Sequence, residues 1–138
     1  MDTQDTLYSD IYQHFLTKIE DHKLHSLEDE DLEEILEKYL IASIPKFKYC
    51  NKDLSNRDSV LKKFNFELTL EEQEIISLIM IVQWLSPQIY SQELLKEKFK
   101  TREFNFFSSS QLLKEMQTLK LNLLRELNEM MTLYYYTN

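Results

Sequence analysis

The residue types able to do chemistry are few in this chain, and their spacing rarely suits them to it. His22 and His25 stand three apart with Asp21 and Glu28 nearby, a spacing at which one helix face can aim two imidazoles at a divalent ion. The stretch reads as the frayed end of a helix and the following turn, where ring orientations are not fixed, so solvated surface histidines are expected in place of a metal site. His14 sits beside Phe15 with no Ser, Cys or carboxylate at a spacing that forces a catalytic pairing, and reads as boundary packing. Cys50 is the single cysteine, which excludes an internal disulfide and a Cys-rich zinc site. It continues an apolar stripe, where a thiol behaves as a small hydrophobe with a raised pKa and not as a nucleophile. Carboxylates are plentiful, but nothing in the pattern marks one pair as desolvated, the condition for general acid-base work. No enzymatic activity, cofactor or metal is therefore expected.

Composition narrows the field further. The chain has 138 residues and no glycine, where average usage of about 7% would supply roughly ten. A Gly-rich phosphate cradle, a dinucleotide fingerprint, a Walker loop and a nucleophile elbow all need glycine and are excluded. Tight hairpins of the primed turn types also lean on it, so a meander or barrel is disfavoured and short helix-to-helix connections are favoured. The length suits one compact core. The expected fold is all-α: residues 1–138 as a single-domain bundle of about five helices with a long C-terminal helix.

The elements follow from periodicity. Leu7, Tyr8, Ile11, Tyr12, Phe15 and Ile19 recur at steps of three and four, predicting an amphipathic helix over roughly residues 5–21. Ser26 is placed to cap a second helix whose acidic first turn meets the positive end of the dipole. Leu32, Ile35, Leu36, Tyr39, Leu40 and Ser43 share one side of it, and Pro45 should end it. The apolar spacing continues through Phe47, Cys50 and Leu54, which favours a kinked continuation over a short strand at residues 46–49. Residues 53–58 read as a turn, with a short helix after it carrying Val60, Leu61 and Phe64. Thr69 and Glu72 form a capping box before an apolar run that surrounds its axis, including Trp84 and Leu85, predicting a helix covered on nearly all sides. Pro87 opens a shorter polar helix to residue 99. Residues 101–110 read as a loop carrying Phe104, Phe106 and Phe107 and ending in a serine cap. The last helix follows, with Leu112, Met116, Leu119, Leu123, Leu127, Met130 and Tyr134 in one line. The longest apolar run, residues 75–82, is interrupted by Ser77 and falls below half the ~20 residues of a bilayer span. No membrane segment is expected, and the acidic first residues do not suit a secretory signal.

Charge is uneven. The formal net charge is -8, so the chain as a whole repels phosphates. Residues 28–37 hold seven acids and no base, whereas Lys46, Lys48, Lys52, Arg57, Lys62 and Lys63 fall within residues 46–63. Two solvated faces are one reading. The other is head-to-tail self-association, acidic strip on basic strip, a heterologous contact of the kind that closes into rings. Lys46, Lys48, Lys52 and Arg57 are interface candidates on this ground. The terminus is apolar and aromatic, and Leu133, Tyr134, Tyr135 and Tyr136 are candidate anchors of a docking tail at residues 133–138, with folding back onto the chain's own bundle as the alternative.

Residues 39–65, 68–89 and 107–120 resemble small acidic proteins of phages and prophages of Gram-positive bacteria, head-tail connector or adaptor proteins of the virion neck. The K/N-D-L-S-x-R-D part of a K-x-x-K/N-D-L-S-x-R-D stretch is met by residues 52–58, with Tyr49 in the place of its leading Lys, and the I-V-x-W-L-x-P-x-I stretch by residues 81–89. The family's S-Q-A-N-H-L segment stands here as Ser108, Ser109, Ser110, Gln111, Leu112 and Leu113. The resemblance implies an all-helical protomer in a homo-oligomeric ring, twelvefold in the family, set between the portal protein and the next neck or tail protein in the virion. It also implies an axial channel that DNA passes without sequence-specific binding. Asp29, Glu30, Asp31, Glu33, Glu34 and Glu37 are candidates for an acidic channel face, which would let phosphates pass without the counterion release that holds DNA to basic surfaces. The alternative is an acidic helical regulatory protein that imitates the charge of DNA through the same residues.

Overall fold

The computed structural model describes residues 4–19, 22–98 and 106–138. The architecture is mainly α. In chain order it has α1 (Tyr8–Leu16), the single turn α2 (His22–His25), α3 (Asp29–Ser43), a 3-10 turn (Ile44–Lys46), the two-residue strands β1 (Arg57–Asp58) and β2 (Lys63–Phe64), α4 (Leu70–Lys98) and α5 (Phe106–Thr137). Among the described residues four helices exceed one turn, against the five or so expected.

The apolar run in the first half of α4 is the axis of the fold. Ile75, Ile76, Met80 and Ser77 are fully buried, and Leu78, Ile79, Ile81, Val82 and Leu85 nearly so. Helices α1, α3 and α5 all pack on α4. Glu72 meets Tyr134 and Glu93 meets Gln117, so α4 and α5 run antiparallel. The seam of α5 is Leu113, Leu123, Leu127, Met131 and Tyr134, which are buried, while Leu112, Leu119 and Leu124 face solvent. The sequence predicts a wide stripe, with Leu113, Leu124 and Met131 beside the line from Leu112 to Tyr134; the buried seam is a narrower band within it, because α5 packs against one neighbour along most of its length. Trp84 is half-buried instead of central.

Several expected elements are corrected. Helix α1 starts at Tyr8, not residue 5, because the backbone before it is held in extended geometry: the N–H of Thr6 donates to Phe66 O, Phe64 N–H donates to Thr6 O, and Tyr8 N–H donates to Lys62 O. Ser26 is not the cap of α3; Glu28 holds that position without a side-chain cap hydrogen bond. Pro45 does stop the α-helix, since the ring removes a donor, but the chain then tightens into a 3-10 turn and leaves helical geometry. No kinked helix continues through Phe47 and Leu54, although both are buried.

The short helix expected around Val60 is a hairpin. Arg57 pairs with Phe64 and Asp58 with Lys63, with Val60 and Leu61 exposed at its tip. The Asp58 carboxylate accepts the N–H groups of Val60 and Leu61, each at 2.9 Å, and Lys62 takes the left-handed position at φ 55° that glycine would ordinarily fill. Those two N–H groups hold the Asp58 carboxyl below its usual range.

Helix α4 is continuous through Pro87, so no separate helix begins there. Proline in an interior turn deprives a carbonyl of its partner, and side chains relieve the neighbourhood: Ser86 Oγ donates to Val82 O at 2.7 Å and Gln88 Nε2 to Trp84 O at 3.0 Å. The expected loop at residues 101–110 is shortened from its far end, because residues 106–110 already belong to α5. Phe104 lies outside the described residues.

Candidate functional site

The Thr69–Glu72 capping box is formed as the sequence predicts: Glu72 N–H donates to Thr69 Oγ1 at 3.1 Å and Thr69 N–H to Glu72 Oε1 at 2.8 Å. What the sequence does not reveal is that Glu72 is also the hub of a buried polar cluster, 1% exposed. Lys52 Nζ donates to Oε1, and the Tyr134 hydroxyl lies 2.6 Å from Oε2. That hydroxyl also accepts Asn51 N–H at 3.2 Å and has Asn51 Oδ1 at 2.7 Å as a second acceptor. Burial pushes the Glu72 carboxyl up, but hydrogen bonds from Lys52, Tyr134 and Thr69 outweigh it and hold the group below its ordinary range. Burial and the hydrogen bond to Glu72 push the Tyr134 phenol well up, and burial also raises the Cys50 thiol, 4.0 Å from the Tyr134 hydroxyl. The cluster is a satisfied internal joint between α4, α5 and the turn after α3.

A second joint links α1 to α4. Glu74 Oε2 accepts Lys18 Nζ at 2.9 Å and faces His14 Nδ1 at 3.3 Å. His14 thus sits at a half-buried boundary, on the rim of an open groove also lined by Asp10, Gln13, Leu70 and Gln73. His25 is exposed. The side chain of His22 and all of Asp21 lie outside the described residues. Among the described residues no three His, Cys, Asp or Glu side chains group as metal ligands.

The charged candidates divide. Lys62 Nζ binds both oxygens of Glu37 at 2.8 and 2.9 Å, and Lys63 pairs with Asp5 at 2.6 Å, so parts of the acidic and basic strips meet within one chain. Lys52 is committed to Glu72, and Arg57 Nη1 donates to Leu54 O at 3.0 Å. Lys46 and Lys48 remain exposed, as do Asp29, Glu30, Asp31, Glu33 and Glu34 along the start of α3.

The aromatic end of α5 also divides. Tyr134, expected as a docking anchor, is 1% exposed and turned into its own chain, its ring edge against Phe47 at 5.3 Å between centroids. The reason is helical phase: Tyr134 lies on the seam facing α4, whereas Leu133, Tyr135 and Tyr136 project to solvent. Tyr135 stacks against Tyr49 at 4.9 Å and against Tyr136 at 5.2 Å. In the sequence Tyr49 reads as the last residue of the rival short strand at residues 46–49, and not as a surface candidate. No family model, curated protein or solved structure matches the chain. No helix among the described residues is long and apolar enough to cross a membrane.

Proposed function

We propose that this protein is a structural adaptor of the tailed-phage neck, a virion component that works by docking and not by a reaction. In this reading copies of the chain form a ring between the portal and the next neck or tail protein, around a channel through which DNA passes. The observation that carries it is the sorting of side chains: the groups with chemical potential, Glu72, Lys52, Tyr134, His14 and Glu74, are held in joints between the chain's own elements, while the exposed features are surfaces, an acidic start of α3 and an aromatic end of α5. The resemblance of residues 39–65, 68–89 and 107–120 to connector proteins supports the same reading. Asp29, Glu30, Asp31, Glu33 and Glu34 would present the acidic channel face, and Glu37, paired with Lys62, would contribute less.

Co-expression with the portal protein of the same genome tests this. An adaptor co-purifies with portal rings, and a chain that leaves portal rings bare while capturing a DNA-binding protein is instead an acidic mimic. The exposed acids of α3 favour that second reading, because they crowd negative charge onto the first turns of one helix as phosphates do along a duplex.

A further inference from the structure

Tyr49 occupies the left-handed region at φ 64°, where a bulky side chain is disfavoured. The residue is 63% exposed, and it stands beside Tyr135 (54%), which in turn touches Tyr136 (78%). Lys46 and Lys48, from the same turn, are exposed and make no ion pair among the described residues. In a chain of net charge -8 this is a local cationic and aromatic patch. Tyrosines are preferred interface anchors because they bring large contact area at small entropic cost.

The matching surface is on the same chain but out of its reach. Asp29, Glu30, Asp31, Glu33 and Glu34 are exposed on the first turns of α3. Lys46 follows the last turn of that helix, which spans about 22 Å at 1.5 Å per residue. One rigid helix therefore keeps the two charges apart within a copy. We propose that the Tyr49, Tyr135 and Tyr136 patch, flanked by Lys46 and Lys48, docks the acidic start of α3 on a second copy. The contact joins unlike surfaces, so it propagates from copy to copy until it closes or extends. The proposal rests on the docking reading above and names the neighbour for that surface.

Sedimentation velocity on the full chain, with helicity followed by circular dichroism, provides the test. Wild type self-associates at low salt, and less so when salt shortens the screening length to about 3 Å at 1 M. The Lys46→Glu/Lys48→Glu and Glu30→Lys/Glu34→Lys variants each keep wild-type helicity and associate about tenfold or more weakly. An equimolar mixture of the two restores association, because each reversed surface meets its complement on the other variant. A monomeric wild type, a mixture that stays dissociated, or a dimer indifferent to the α3 reversals overturns the proposal. A monomer that still binds the portal overturns this contact while leaving the adaptor reading intact.

Discussion

The Tyr134 hydroxyl, near the end of α5, lies 2.6 Å from Oε2 of Glu72 in the first turn of α4. The two residues are separated by 62 positions, and their contact fixes how the two longest helices register. Lys52 and Asn51 bring the turn after α3 to the same point, so one buried carboxylate joins three parts of the chain. A buried charge left unpaired is costly, so the joint depends on every partner.

Removing that hydroxyl is expected to be felt globally. Tyr134→Phe should lower the unfolding free energy by about 1.5–3 kcal/mol, the range for a hydrogen bond to a charged group, whereas Tyr136→Phe at its exposed site should stay within about 0.5 kcal/mol. Urea unfolding of both variants checks the contrast. Truncation after Tyr134 should spare the fold, and truncation before it should not.

The same cluster sets a pH dependence. The Glu72 carboxyl is held below its ordinary value of 4.5 in the fold, so its contribution is present above that value and is lost as pH falls through the lower, folded one. Tyr134 is shifted up from 10.0, so its contribution is present below pH 10 and declines as the pH rises beyond it. Unfolding midpoints measured across this range should fall at both ends. Glu72→Gln should flatten the acid limb, and an acid limb equally steep in that variant would remove Glu72 as its cause.

Core truncations should rank by burial. Phe64 is fully buried, its ring against Tyr8 at 5.4 Å, and Phe64→Ala should cost about 3–5 kcal/mol through the cavity it leaves. Trp84 is half-buried, so Trp84→Ala should cost less despite the larger side chain. Chemical denaturation of the two variants side by side decides the order.

Tyr49→Gly separates folding from docking. Glycine adopts the left-handed conformation without the Cβ penalty, so the variant should unfold at the same temperature as wild type or higher. Self-association should weaken in the same variant. A marked drop in the thermal midpoint would mean that the Tyr49 ring serves the fold through Tyr135.

Local signals were legible in the sequence and long-range ones were not. The Thr69–Glu72 box, the wrapped apolar face of α4 and the stop at Pro45 each depend on residues within a few positions of one another, and each formed. The hairpin at residues 57–64 was hidden because Lys62 fills a position where glycine is the usual sign. The continuity of α4 through Pro87 was hidden because Ser86 and Gln88 supply donors that no propensity counts. At the site, the run of acids at residues 28–34 marked the exposed start of α3. The inward turn of Tyr134 was legible in phase, since it closes the apolar line of α5, but its hydrogen bonds to Glu72 and Asn51, distant in sequence, were not.

The proposed docking of the chain in the neck is decided by imaging tailed particles. A reconstruction of particles assembled from the genome that encodes it should show α4 and α5 in density as a closed ring between portal and tail. Complete, infectious particles that lack the chain would contradict the account.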